Sequence, residues 1–203
     1  MLRDLAAVLV PPLCGICAAP CRSDRPVCPT CEVAIASSAP VRLEVSGVDS
    51  AWAAAPYRGA ARGLVAQLKF GRRLALAGVA ARAIAAAVPG GVPPGALVPV
   101  PPDPMRRRWR GFDPAAEIAG ALADQLRLTV RPCLERRHGP RQVGRSRASR
   151  LAAPPRVRLR APAPAVAVLV DDVVTTGATL GAAARALRAG GAESVLAVTF
   201  ARA

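Results

Sequence analysis

Two pairs of cysteines carry the first legible chemistry. Cys14-x-x-Cys17 and Cys28-x-x-Cys31 have the same spacing, with ten residues between Cys17 and Cys28. Two residues between thiolates let both sulfurs meet one ion, and two such pairs complete a tetrahedral shell at about 2.3 Å. Thiolates select zinc over harder cations, and an intracellular setting keeps them reduced. Four thiolates leave no open coordination position, so the expected zinc is structural: a module of about 20 residues has no core of its own, and metal supplies the stability. Pro20, Asp24 and Pro26 make the stretch between the pairs a loop, and Gly15 and Pro29 are read as turn residues inside the knuckles. A redox pair and chance composition are the rival readings, the first weakened because neither pair is expected to follow a strand and open a helix. Cys21 is a spare thiol that could replace one ligand. Cys133, in an apolar stretch, is most simply a small buried hydrophobe.

The second chemistry lies in Val166-Ala-Val-Leu-Val-Asp171-Asp172-Val-Val-Thr175-Thr176-Gly177-Ala178-Thr179-Leu180. An apolar strand delivers two acids at its carboxyl end, and a small-residue loop leads into a helix. Ligands of open α/β sheets bind outside the carboxyl ends of strands. Loop amides, threonine hydroxyls and the helix dipole make a phosphate cradle, and Gly177 supplies a backbone angle that side chains disfavour. Adjacent carboxylates repel phosphate, so Asp171 and Asp172 should face hydroxyl donors or a cation. Acids for a diol beside amides for a phosphate describe a ribose 5-phosphate site. Another phosphate-binding strand–loop–helix, or a metal-binding acid pair, stays open as an alternative. The reading requires loop amides that face outward and two aspartates not locked in ion pairs.

Those residues need a scaffold. Helical apolar spacing covers 60–70 and 73–88, broken at Gly71 and ended by Pro89-Gly90-Gly91. Ala96–Val100 is a short buried strand, and Asp113-Pro114 caps a helix to about Leu126. A strand is expected within 128–134, an arginine-rich mobile loop over 135–155, a strand over Ala165–Val170, a helix over 178–189 and a last strand from Ser194 to Phe200. Residues 32–55 lack periodicity and read as a linker with one strand at Arg42–Val45. Strands alternating with helices give an α/β fold with a mostly parallel sheet flanked by helices. The division expected is a zinc ribbon over 1–40, a linker over 41–59 and one domain over 60–203.

The 166–180 segment resembles the phosphoribosyl pyrophosphate (PRPP) motif of type I phosphoribosyltransferases: four apolar residues, two acids, two apolar residues and T-T-G-x-T. The resemblance implies that Asp171 and Asp172 bind the ribose hydroxyls and that Thr175, Thr176, Gly177, Ala178 and Thr179 hold the 5-phosphate. Zinc knuckles, Pro56-Tyr57-Arg58-Gly59, Leu68-Lys69-Phe70-Gly71, Val98-Pro-Val-Pro101, Arg110-Gly111-Phe112, Gln142-Val-Gly144, Ser146-Arg147 and the PRPP motif follow in the order of the ComF family, to which the chain is similar. That family consists of phosphoribosyltransferase-like proteins associated with DNA uptake in natural competence. The likeness implies PRPP bound with Mg²⁺, competence proteins as partners, and a pyrophosphate-side contact from the Val98–Pro104 turn. Pro101, Pro102 and Arg106 are the candidates there, with Arg147 from a flap over 135–155. Departures are the missing second pair of knuckles, Asp113 where the family has Asn, and Arg145 where it has Leu.

The chain has 203 residues and a formal charge of +15, with 28 Lys+Arg against 13 Asp+Glu. Lys69 is the single lysine. A content of 52% hydrophobic residues excludes wholesale disorder. Aromatics are 3%, so the core must be aliphatic. No apolar run reaches the ~18–20 residues of a membrane span, and Leu5–Leu13 lacks the features of a secretory signal. No membrane insertion and a cytoplasmic location are expected. Arg106–Arg160 holds fifteen arginines against four acids. Three readings of that stretch stand: it neutralises departing pyrophosphate, it contacts single-stranded DNA with Trp109 and Phe112 stacking on bases, or it is a solvated surface. Pyrophosphate displacement needs positioning and charge stabilisation more than a dedicated base. A phosphoribosyltransferase with unknown acceptor is therefore the leading reading, and a non-catalytic PRPP sensor or DNA-binding factor the alternative. A nucleobase salvage enzyme is the third, disfavoured by the cysteine module.

Overall fold

A computed structural model describes residues 12–137 and 155–203. Six strands form one sheet in the order β1-β2-β8-β7-β3-β4: β1 Val41–Arg42, β2 Ser50–Pro56, β3 Ala96–Pro99, β4 Thr129–Val130, β7 Val166–Val174 and β8 Ser194–Arg202. Only β1 runs antiparallel to its neighbour; the other pairings are parallel. A separate antiparallel ribbon joins β5 Leu134–Arg137 to β6 Arg156–Leu159. The flap expected over 135–155 therefore begins and ends in paired strands, and its central part, with His138, Gln142 and Arg147, lies outside the described residues.

Helices cover both faces of the sheet. On one lie α1 Pro29–Ala36, α2 Gly59–Lys69, α3 Leu76–Ala87 and α5 Pro114–Leu126, whose Leu64, Leu68, Leu76, Ile84, Ile118 and Leu122 are fully buried with Val168, Val170 and Phe200. On the other, α6 Ala178–Ala189 presents Leu180, Ala183, Ala184 and Leu187 to Ala167, Leu169, Val195 and Ala197, with Cys133 and Leu134 beside them. Each fully buried leucine contributes about 1.5–3 kcal/mol. A sheet covered on both faces needs continuous apolar runs, and β3 and the first five residues of β7 have them.

Four elements depart from expectation. Ser50–Pro56, within the expected linker 41–59, is an inner strand between β1 and β8, with Ala51, Ala53 and Ala55 buried at 0% exposure. Its alanines have little intrinsic strand preference; close packing of neighbours selects them. Pro29 is the first residue of α1 rather than a turn residue, with Cys28 as its N-cap. A short helix, α4 Pro104–Arg110, follows β3 and holds Arg106. It opens as α5 does. Asp103 accepts from the Met105 and Arg106 amides at 3.0 and 3.3 Å, Asp113 accepts from the Ala115 amide at 3.0 Å, and a proline follows each aspartate. Finally, the strand expected over 128–134 divides between β4 and β5.

Candidate functional site

Connectivity decides where a ligand fits. From β3 the chain passes through α4 and α5 outward to β4, whereas from neighbouring β7 it passes through α6 in the opposite direction to β8. The crevice outside the carboxyl ends of β3 and β7 is therefore the switch point of the sheet. Val100 donates its amide to the Val170 carbonyl at 2.9 Å, so the β3 turn stays stitched to β7 as both reach this edge. Pro101 is buried and Pro102 half-buried in that turn, while Arg106 is exposed on α4.

Strand β7 runs past both acids to Val174, and the loop follows at once. Thr175, Thr176 and Ala178 are exposed, Gly177 and Thr179 half-buried. Gly177 has φ +72° and caps α6; a Cβ there would approach Val45 Cγ2 to 3.2 Å. Thr176 Oγ1 accepts from the Ala178 amide at 3.3 Å. Among the described residues none accepts from the amides of Thr175, Thr176 or Gly177. A surface loop with free amides ahead of a twelve-residue helix suits an anion.

The two aspartates occupy different environments. Asp172 is 6% exposed, and its Oδ2, which accepts no hydrogen bond among the described residues, lies 2.8 Å from Lys69 Nζ at the end of α2 as an ion pair. One of the two acids is thus engaged in an ion pair, against the requirement set by the sequence. A carboxylate offers two oxygens, and this one retains Oδ1. Asp171 is half-buried and accepts the Asp172 amide at 2.8 Å. Burial of its carboxyl and then the Asp172 charge raise Asp171 well above the ordinary carboxylate range, with Lys69 pulling the other way. Asp113 joins them electrostatically: burial pushes it up to about 6, its helix-capping amides oppose this, and Asp172 adds to it. On β8, Thr199 stands in register with Asp171 at 0% exposure, its hydroxyl without a partner among the described residues.

Beyond Lys69 the surface turns aromatic and basic. Phe70 and Trp109, 63% and 76% exposed, lie with ring centroids 6.4 Å apart. Arg110 sits over the Phe70 ring at 5.2 Å and Arg72 over Phe112 at 5.8 Å. Sequence reasoning singled out Trp109 and Phe112 but missed Phe70, which only the fold brings to Trp109. Two cavities, of about 340 and 680 Å³, flank α1 instead and contain no residue of the crevice.

The cysteine prediction comes together in space. Cys14, Cys17, Cys28 and Cys31 place their sulfurs within 4.8 Å of one another, with Cys17 and Cys28 Sγ 3.7 Å apart. Cys21 is outside that group. Burial pushes the Cys14 thiol up, but amides at Cys17, Cys28 and Ile16 outweigh it and bring it down to about 6; burial raises Cys31. The second pair does open a helix, contrary to expectation, and what disfavours redox chemistry is the convergence of four sulfurs, a set that could bind zinc. Cys14, Cys28 and Cys31 are buried in the same cluster as Leu64 and Leu76. Ile16 fits against Gly63, where a Cβ would approach Ile16 Cγ2 to 2.8 Å, and Gly15 fits against Leu76.

Residues 114–203 match the family model described as phosphoribosyl transferase domain. The match covers α5, both strands of the ribbon, β7, the loop and β8. No curated protein matches the chain. Among the described residues, no helix is long and apolar enough to cross a membrane.

Proposed function

We propose that this chain binds PRPP together with Mg²⁺ in the crevice between β3 and β7, and that it is a phosphoribosyltransferase-like protein of the ComF type. The observation that carries the reading is the junction of β7 and α6 at the switch point, where two acids meet a loop with unused amides. Asp171 and the free oxygen of Asp172 accept the ribose hydroxyls, and Thr175 to Thr179 surround the 5-phosphate. Pro101, Pro102 and Arg106 lie on the pyrophosphate side; Arg147, the further candidate there from the ComF likeness, is outside the described residues. Mg²⁺ would neutralise the diphosphate and help it leave as an acceptor attacks the anomeric carbon. Zinc on the four cysteines is structural in this reading, and the domain boundaries remain those of a cysteine module before a PRPP domain, with β2 added to the latter. The competence link comes from the ComF likeness, and a cytoplasmic location from the intracellular setting that keeps thiolates reduced.

Calorimetry with PRPP and Mg²⁺ tests the site: Asp171→Asn/Asp172→Asn is expected to weaken binding about a hundredfold, since two acceptors lose the charge that strengthens their hydrogen bonds. Unchanged affinity defeats the assignment. Pyrophosphate release across bases and nucleic acids separates a transferase from a sensor.

The exposed Phe70–Trp109 pair among arginines favours a second reading, a PRPP sensor that also holds single-stranded DNA. Neutralising Arg106, Arg107 and Arg108 is expected to weaken that binding and to flatten its fall with salt; binding that ignores salt excludes it.

A further inference from the structure

We infer that Lys69 is a positioning residue of the crevice: its ammonium grips one oxygen of Asp172, so that the other oxygen and Asp171 are presented together to the sugar diol. The inference rests on the PRPP reading above and deepens it. The sequence offers no partner for Lys69, which stands 103 positions before Asp172. The fold brings them to 2.8 Å, with side chains 21% and 9% exposed. A half-buried ammonium loses part of its hydration and recovers it only from a partner of opposite charge.

Three carboxylates crowd this edge of the sheet: Asp171 and Asp172 on β7 and Asp113 at the start of α5. Asp172 disfavours charge on both of the others. Arg107 of α4 favours charge on Asp113, and Lys69 favours it on Asp171. Among the described residues, Lys69 makes the direct ion pair with this trio. Without it, Asp171 would be pushed still further above the ordinary carboxylate range, and the Asp172 carboxylate would lose its fixed direction.

The choice of residue supports the same assignment. Of 28 basic residues, 27 are arginine, and the exception stands where a compact ammonium contacts a buried carboxylate. A guanidinium is planar and wider, and it does not replace an ammonium at so close a contact without displacement.

Because the chain has one lysine, selective ¹⁵N-lysine labelling of the full-length protein yields a single Nζ signal. In the wild type that signal is expected to be protected from exchange. It should collapse to the free-lysine position in Asp172→Asn, and persist when ribose 5-phosphate or PRPP with Mg²⁺ is added. By calorimetry, Lys69→Met should weaken ribose 5-phosphate and PRPP alike by about tenfold, and Lys69→Arg should regain part of that loss. An Nζ signal indifferent to Asp172→Asn overturns the inference. So does a Lys69→Met loss confined to PRPP, which would put the ammonium on the pyrophosphate. Wild type that binds both ligands while Lys69→Met binds them as tightly overturns this inference alone, whereas wild type that binds neither overturns the PRPP reading as well. If Lys69→Met does not fold, the comparison of wild type with Asp172→Asn decides without any change at Lys69.

Discussion

The cysteine cluster and the β7 crevice are built on one plan and put to opposite uses. Each collects groups that carry like charge when ionised at a tight turn opening a helix: Cys28 caps α1, Gly177 caps α6. At the cysteines the turn faces inward, and three of four thiols are buried in the core that holds Leu64 and Leu76. At the crevice the turn faces outward, with Thr175 and Thr176 exposed and one acid only half-buried. Enclosure suits a resident ion that replaces missing core, and openness suits a ligand that comes and goes.

The largest effect should come from opening the closed site. Chelation, or Cys31→Ser, is expected to remove about 4 kcal/mol or more of stability and to lower Tm by 10 °C or so, because unpaired thiols then stay buried beneath α2 and α3. Thermal unfolding with metal analysis reads this, and Cys21→Ser should retain the bound metal. Equal stability with and without chelator would erase the contrast between the two regions.

Next comes the reverse experiment at the open site. Asp171→Asn alone should leave Tm within a few degrees of the wild type or raise it, since it removes crowded charge and keeps the Asp172–Lys69 pair, while weakening PRPP. A collapse of Tm would make that acid structural and the two regions alike.

The smallest effect sharpens the electrostatics. Asp113, pushed up to about 6, holds a proton in the folded chain that the unfolded chain releases nearer its ordinary value. The folded state binds more protons, so this residue favours folding at acid pH, and the benefit is lost as pH rises toward 6. Asp113→Asn keeps an acceptor for the Ala115 amide without the charge. It should match the wild type near pH 4 and exceed it by about 2 kcal/mol at pH 8 in urea unfolding. Stability gained at acid pH instead would reverse the sign of the argument.

What could be read in the chain beforehand was local. The β7–α6 junction declares itself because an apolar run, two acids and a glycine loop are contiguous, and Asp113-Pro114 announces α5 by the same adjacency. Asp103-Pro104 is the identical device and went unread because the arginine-rich stretch behind it has no apolar face: none of the α4 side chains is buried. Strand β2 was hidden for the opposite reason, its alanines being chosen by β8 rather than by backbone preference. Contacts between distant positions, Lys69 with Asp172 and Phe70 with Trp109, follow from the order of strands and have no sequence signature.

The missing side chain at Gly63 lets Ile16 of the first knuckle rest directly on α2. Six residues further along that rod, about 9 Å by helical rise, stands Lys69. One helix thus connects the cysteine cluster to the rim of the crevice, and a bulkier residue at position 63 would press on Ile16 at its near end.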